Sequence, residues 1–249
     1  MGVWTSYENR VNINGATVRD EMLNREQSML LKKMKDSLSY HSILINGVKR
    51  EASIVNSENL NEKTMFSLPG EDFICGDVVD WANNHWLITE KDANNEMCTK
   101  VKLLQCNHLL KWVDNKHQIH EQWCVIEDGT KYLTGEYEDR KFIVTRGDSR
   151  IAMTIGINEF TKEFGREHRF LIDEPDSPEK LAYLLTKPLK VGWNYNGHGV
   201  YKFVLQESVS TDNDNMELGI ADYYKHFKRP DSNNGSAGTK PENGKETWI

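Results

Sequence analysis

The segment from residue 73 to 149 is a near-continuous series of strand-like stretches with hardly a helix signal between them. Apolar and polar residues alternate there, and Asn, Asp or Gly interrupts the alternation about every eight to twelve positions. This pattern is typical of a compact antiparallel β-barrel or sandwich. Nothing in the chain has the residue spacing of a catalytic site. Fold class and organisation therefore constrain this protein more than its chemistry does.

The β region as a whole is predicted to have two parts. Residues 41–149 are expected to form a β-barrel domain, and residues 150–207 a second β segment packed on the barrel or continuing it. Asn196 and Gly197 give the strongest local hairpin signal in the chain. The stretch LAYLLTKPLKV suits either a helix or an edge strand with Pro188 at its rim. We favour the strand because its neighbours are strands.

An amphipathic helix is predicted to precede the barrel. Thr17 is expected to cap it, and Asp20 stands where a box-like N-terminus needs an acceptor. The apolar residues from 18 to 38 predict one stripe, which carries Met22 and Met29 and is opposed by basic side chains. Such a helix most often packs on its own domain or a neighbour's. A membrane surface or a calmodulin-like partner is the alternative.

Both ends of the chain are predicted to be extended arms. Residues 1–16, which contain Trp4 and Tyr7, form the first, so residues 1–40 make up an arm and a helix. Residues 208–249 form the second, which is expected to be largely flexible alone because its polar end cannot bury enough apolar surface to order itself. Within it, MELGIADYYKHF, which holds Tyr223, Tyr224 and Phe227, is predicted to be a short helix or a docking segment. The final pair, Trp248–Ile249, is either a chance feature or an anchor for a pocket on another subunit.

The charge balance narrows the function classes. The chain carries 31 Lys+Arg against 38 Asp+Glu, a formal net charge of −7. This argues against a dedicated nucleic-acid binder, although a local basic patch is still allowed. No run approaches the roughly 18 apolar residues that a membrane span needs, and no secretory signal opens the chain. The sequence therefore predicts a soluble protein made in the cytoplasm, with no membrane partner.

The chemical motifs are weak. All four cysteines stand in or beside strand-like apolar stretches and are predicted to be buried, reduced thiols. They are Cys75, Cys98, Cys106 and Cys124. The alternative is a zinc site built from nearby soft ligands, although their spacing is irregular for zinc. Those ligands are Cys106, His108, His117, His120 and Cys124. The Arg146-Gly147-Asp148 tripeptide is interpreted as turn chemistry rather than an adhesion ligand.

No nucleotide-binding loop or nucleophile elbow occurs, so we predict no cofactor, no metal, no catalytic residue and no enzymatic activity. The barrel tryptophans leave one alternative open. Trp81 and Trp112, as partners on adjacent strands, would serve as stacking platforms for a single-stranded nucleic acid beside Lys111. We favour core packing of these residues and of Trp86 and Trp123, because each buries a large apolar surface.

Several blocks resemble a family of structural proteins from tailed phages of Gram-positive bacteria, commonly assigned to head closure at the head–tail connector. The blocks are GDVVDWANNHWLITEKD, KLLQCNHLLKWVD and IHEQWCVIEDGTKYLTGEYE, followed by RFLIDEPDSPEKLAYLLTKPLKV, NGHGVYKFVLQES and ELGIADYYKHF. The likeness covers roughly residues 1–228. It implies small β-barrels that assemble as rings, with arms that grip their neighbours, but it transfers no residue-level site.

The resulting hypothesis is a virion structural protein of mainly β fold, located at the neck and assembled in the host cytoplasm. Its partners would be further copies in a ring, the portal or adaptor protein, and tail terminator or tail-tube proteins. Double-stranded DNA would pass without specific binding. A tail or baseplate component is the close alternative. The helix 17–38 and the loop 56–64 are expected to dock, and the interface candidates are Trp4, Tyr7, Met22, Met29, Tyr223, Tyr224, Phe227 and Trp248.

Overall fold

The computed structural model describes residues 17–92, 96–128, 150–173, 180–191 and 194–229, together with Trp4, Tyr7, Gly15 and Ser177. Within them the protein is mainly β, as predicted, with one long helix near the N-terminus. The Arg146-Gly147-Asp148 turn and Trp248 lie outside the described residues. Within those ranges, no helix has the length and apolar character needed to cross a membrane.

Helix α1 spans Val18–Lys35 and begins at the predicted cap. The Thr17 hydroxyl accepts a hydrogen bond from the Asp20 N–H at 3.2 Å, and the Asp20 carboxylate accepts one from the Thr17 N–H at 3.1 Å. This reciprocal capping box satisfies two backbone donors that the first turn would otherwise leave unpaired. Basic side chains in the last turn interact favourably with the helix dipole. The predicted helix start is confirmed.

Six strands follow α1 and close into an antiparallel barrel in the order β1-β2-β3-β6-β5-β4. They are β1 (Tyr40–Ile45), β2 (Val48–Asn56), β3 (Glu62–Ser67), β4 (Val78–Trp81), β5 (Asn84–Lys91) and β6 (Lys100–Gln105). Leu44 pairs with Asp80 and thereby joins β1 to β4, so no edge is left open. The interior is filled by apolar side chains that include Ile43, Met65, Phe73 and Leu103.

The next strands form a second sheet in the order β10-β11-β13-β9-β8-β7, with β12 paired to β13. They are β7 (His108–Val113), β8 (Ile119–Asp128), β9 (Arg150–Gly156), β10 (Arg169–Ile172), β11 (Leu181–Leu189), β12 (Asn194–Tyr195) and β13 (His198–Ser208). The end strands β7 and β10 lie close together, so this sheet is nearly closed. Its core is built on Met153, Phe164, Phe170 and Phe203, all almost fully buried.

The division between the two sheets differs from the predicted boundary at residue 149. It falls at Cys106 and Asn107, between β6 and β7. Strand β8 pairs with β9 through Cys124 and Ile155, so the strands before residue 149 do not all belong to one barrel. Strand alternation specifies which face of a strand is apolar, but it does not specify which strand is its partner. The sequence pattern therefore identified these strands without separating the two sheets.

The hairpin prediction is confirmed, and the stretch around Pro188 is confirmed as a strand, although not as an edge strand. Asn196 and Gly197 have φ values of 55° and 87° and connect β12 to β13, as a two-residue turn of this type requires. Pro188 lies in a strand, β11, opposite Phe203. Although β11 is an inner strand, its partner β10 pairs only as far as Leu184. Pro188 stands beyond that end, where its missing N–H breaks no β10–β11 hydrogen bond.

The two β units meet through backbone contacts at three glycines. The Gly199 N–H donates to the Cys75 carbonyl at 2.8 Å, and the Ile157 N–H donates to the Gly199 carbonyl at 2.9 Å. A Cβ atom on Gly156 would lie 2.0 Å from the Gly76 carbonyl oxygen, and one on Gly76 would lie 2.2 Å from the Gly199 carbonyl oxygen. Side chains cannot be accommodated at these positions, so the glycines permit the close approach.

Apolar packing surrounds this contact. Leu87 and Cys106 from the barrel side meet Val125 and Val200 from the second sheet in one buried cluster. At its rim the His85 imidazole stacks on the Trp123 indole, with ring centroids 4.0 Å apart. The two units therefore share a packed interface in addition to a chain connection.

The segment after β13 docks on the second sheet, as predicted for MELGIADYYKHF, and does not extend freely as an arm. Arg169 donates to both carboxylate oxygens of buried Asp214 at 2.9–3.0 Å, and to Asp222 at 2.9 Å. Asp214 also accepts hydrogen bonds from the N–H groups of Thr211 and Asp222. Nearby, Ile220 is buried. We call residues 209–229 the C-terminal segment. Its short helix α2 spans Tyr223–His226.

Substituting Gly156→Ala is expected to destabilise the protein by about 2 kcal/mol or more, because the new methyl group collides with backbone that cannot move aside. The measurement is the free energy of unfolding from urea titration. Gly165→Ala is the matched control, because its Cβ atom would meet nothing within 4 Å. A loss within about 0.5 kcal/mol for Gly156→Ala, similar to that expected for the control, would contradict the close approach.

Substituting Arg169→Met should cost about 3 kcal/mol of stability, because it leaves the Asp214 carboxylate buried without its cation. Hydrogen exchange should then accelerate across the C-terminal segment. The control is Arg166→Met, which changes an exposed arginine three residues earlier. Equal exchange rates in the two variants would show that Arg169 does not hold the segment.

Lowering the pH should break the same contact between Arg169 and Asp214. Burial opposes ionisation of Asp214, but hydrogen bonds from Arg169 and from two backbone N–H groups hold the pKa of its carboxyl below the usual range. A carboxyl with a lowered folded-state pKa stabilises the fold above its unfolded pKa of about 3.9, and this contribution is lost as the pH falls through the folded value. Protection of the C-terminal segment should therefore be retained from pH 7 to about 5 and decline below about 4. A decline that begins near pH 6 would point to a different group.

Candidate interaction surfaces

Helix α1 presents two apolar faces rather than the single predicted stripe. Leu23, Leu30 and Met34 are spaced by seven and four residues, and they lie on the face turned toward the protein, where Met34 is buried. Polar contacts fix this orientation. The Arg19 guanidinium donates to both Glu96 carboxylate oxygens at 2.7–2.9 Å, and the Gln27 side chain donates to the Glu96 carbonyl at 2.9 Å.

The other apolar face points to solvent, and we call it the outer stripe. It consists of Val18, Met22 and Met29, which are 71%, 64% and 42% exposed. Spacings of four and seven residues place them on one side of the helix. The sequence pattern merged the two faces because eight apolar residues within 21 positions can fit one broad stripe. The two faces can be distinguished only by the burial of their side chains in the folded protein.

Basic residues border the outer stripe. Arg25, Lys32 and Lys33 are exposed on the flanks of this face. Helix α1 carries more basic than acidic side chains, whereas the whole chain has an excess of Asp and Glu. A partner surface that is apolar at its centre and acidic at its rim would therefore complement this face.

Trp4 and Tyr7, the N-terminal interface candidates, are both exposed. Their rings meet edge to face with centroids 6.2 Å apart. Both residues have helical backbone, which differs from the extended arm predicted there. Large aromatic side chains held in solvent in this way are suited to bury much apolar area when a partner covers them.

The C-terminal candidates are partly occupied by contacts within the chain. Tyr223 stacks on Phe227 with ring centroids 4.6 Å apart, and meets Tyr224 edge to face at 5.2 Å. The Arg229 guanidinium lies over the Tyr224 ring. Half-buried and mutually packed, these aromatic residues help to dock the C-terminal segment. They leave less free surface than the outer stripe does.

A polar groove runs between the barrel and the second sheet, with a volume of about 120 Å³. Glu62, Glu90 and Lys102 line its barrel side, and Glu127 and Lys202 line the opposite side. The Lys102 ammonium lies 3.0 Å from the Glu62 carboxylate. Charges of both signs are mixed along the groove, so its electrostatics favour neither an anion nor a cation.

The residues of the alternative zinc site are not arranged as a set of metal ligands. Burial raises the pKa of the Cys106 thiol to about 12 and also raises that of Cys124, so both are protonated at neutral pH. Burial lowers the pKa of His108. His120 is paired with Asp114 at 2.9 Å. Within the described ranges, no group of three or more His, Cys, Asp or Glu side chains is arranged to hold a metal ion.

The tryptophans pack in the two cores and between the units, as favoured. Trp86 and Trp112 are 4% and 3% exposed. The predicted partnership of Trp81 with Trp112 is wrong, because β4 and β7 belong to different sheets. Trp81 instead contacts Trp86, with ring centroids 5.9 Å apart. Trp112 therefore offers no exposed face on which a base could stack.

The comparisons with known proteins give one family. Residues 6–105 match the family model described as the YomX N-terminal domain, a phage-associated family name of the Bacillus phage SPbeta type. The matched region ends at the last residue of β6, so it contains α1 and the closed barrel and stops where the second sheet begins. No curated protein matches the chain significantly.

A solved structure, described as MrkH, a c-di-GMP-dependent transcription regulatory factor, aligns with 76% of this chain and 85% of its own. The identity is 7% and the TM-score 0.24, a value that supports no conclusion about fold or function. The chain is thus similar to the YomX N-terminal domain over residues 6–105.

Proposed function

We propose that this protein is a virion structural protein of a tailed phage, a ring-forming head-closure or head–tail connector subunit. The observation that carries the proposal is the outer stripe of α1, an apolar face held in solvent and bordered by basic side chains. The phage-associated family match over residues 6–105, which include α1, supports it.

The outer stripe is suited to docking for two reasons. Its two methionines are flexible and polarisable, so they adapt to a partner surface. Its helix is already folded, capped and fastened to the body through Arg19 and Gln27, so binding does not have to order it. Trp4 and Tyr7 add exposed aromatic area.

The partner that best complements this face is a second copy of the chain. The chain as a whole is acidic, with a net charge of −7, whereas α1 is basic. Contact between α1 of one copy and a different, acidic surface of the next is heterologous, and repetition of such a contact forms a ring when the rotation between copies closes. Portal or adaptor proteins on one side and tail terminator or tail-tube proteins on the other complete the proposed set of partners.

The negative net charge of the chain also suits a ring through which DNA passes. Attraction to phosphates would retard transit, and an acidic lining avoids that attraction. On this proposal the protein acts by binding and by shape, without substrate turnover, and it resides at the neck of the particle after assembly in the host cytoplasm. A tail or baseplate component would use the same surfaces, and only position in the particle separates the two.

Binding to single-stranded nucleic acid is the alternative from another class. It requires exposed aromatic platforms, whereas Trp112 is buried against Phe164 with ring centroids 5.0 Å apart. A base bound beside Lys111 on the same strand would therefore find no exposed Trp112 ring on which to stack. The structure therefore favours the assembly role over this alternative.

The substitution Met29→Glu is expected to abolish self-association of the purified protein, because it places a carboxylate within the apolar contact. Sedimentation velocity over a range of protein concentrations measures the effect. Ser28→Glu is the matched control, since it adds the same charge to an exposed neighbouring position outside the stripe. Both variants should unfold at the parental temperature, because neither site is buried.

Two results would count against the docking role of the outer stripe. One is a parent chain that stays monomeric at every concentration and with added portal or tail proteins. The other is an equal loss of association in Met29→Glu and Ser28→Glu.

A further inference from the structure

Two histidines from distant parts of the chain meet at the surface. His117 lies in the turn between β7 and β8, and His226 lies in α2, 109 residues later. Their Nδ1 atoms are 3.1 Å apart, and their ring centroids are 5.1 Å apart with an interplanar angle of 64°. The assembly role proposed above uses neither residue.

The backbone that carries each ring is held by the structure around it. The His117 N–H donates to the Asp114 carbonyl at 3.1 Å, and the Asp114 carboxylate accepts from the N–H groups of Lys116 and Gln118 at 2.8 Å. These bonds hold the turn in which His117 has a φ of 60°. On the other side, the Arg169–Asp222 contact fixes the start of α2. The two elements that carry the histidines are therefore both held in place.

The separation of the two nitrogens suits a shared metal ion. Two imidazole nitrogens on one tetrahedral zinc, each at about 2.0–2.1 Å, lie roughly 3.3–3.4 Å apart. The observed 3.1 Å differs from this by a few tenths of an ångström. The two nitrogens lie within hydrogen-bond distance of each other, and both rings must turn for their lone pairs to converge on one ion instead.

We propose that His117 and His226 form a two-imidazole site for a late first-row divalent cation of the Zn²⁺ type, with water completing its coordination. Neutral imidazole is a preferred ligand for zinc, copper and nickel, whereas Mg²⁺ and Ca²⁺ prefer oxygen. Both rings are solvent-accessible, so an ion can enter from bulk water. Phe227, edge to face with His117 at 6.5 Å, supplies an apolar wall on one side.

The site would act as a clip. One ligand belongs to the β7–β8 turn and the other to the C-terminal segment, so the bound ion would fasten that segment to the second sheet. Binding that requires both elements in place stabilises the docked state over the released one.

The test is isothermal titration of the full chain with ZnCl₂ at pH 7.5, on a Cys98→Ser background that removes a partly exposed thiol. One Zn²⁺ per chain is expected, with a lower hydrogen-exchange rate in the C-terminal segment and no response to MgCl₂. His117→Asn and His226→Asn should each lose this binding. His198→Asn, which changes an exposed histidine elsewhere, should retain it.

Three results would overturn the site. They are no saturable Zn²⁺ binding by the parent, binding that survives in both His117→Asn and His226→Asn, and binding that is lost equally in His198→Asn. The unfolding temperatures of the variants without metal show whether a loss reflects misfolding instead. If either variant is unfolded, the hydrogen-exchange response of the parent to ZnCl₂ decides the question, since no slowing in the C-terminal segment contradicts the clip.

Discussion

The contact between glycine backbones at the junction is the constraint on which the rest of the structure depends. Gly76 from the barrel lies against Gly156 and Gly199 from the second sheet at distances that admit no side chain. This approach lets the Gly199 N–H reach the Cys75 carbonyl and brings Leu87 and Val200 into one apolar cluster. Two β units that could have been separate thus share a packed interface, and surfaces on both can be presented together.

The surfaces that this body presents differ in how they are held. Helix α1 is packed through Leu23, Leu30 and Met34, and its outer stripe is exposed. The C-terminal segment is docked by a buried Arg169–Asp214 pair whose removal from water is compensated by several hydrogen bonds. The outer stripe is suited to contact between subunits. The docked C-terminal segment is suited to a contact within one subunit that a bound ion would strengthen. The proposed assembly role and the proposed metal site accordingly use different parts of the molecule.

Features set by neighbouring residues could be predicted from the sequence, and features set by distant pairs could not. The Thr17–Asp20 cap and the Asn196–Gly197 turn depend on residues a few positions apart, so the sequence identified both. The pairing of β8 with β9, the glycine junction and the Arg169–Asp214 pair join residues that are far apart in the chain. Alternation and composition carry no signal for such partners. The outer stripe lies between these cases, since its residues were identified but not its separation from the packed face.

The measurement that tests the central claim most directly is electron microscopy of phage particles labelled with an antibody to this chain. The proposed function predicts label at the neck, between head and tail, in a symmetric ring. Label at the distal tip would retain a structural role and contradict the connector position. Particles that carry no label at any point would contradict the claim that the protein is part of the virion.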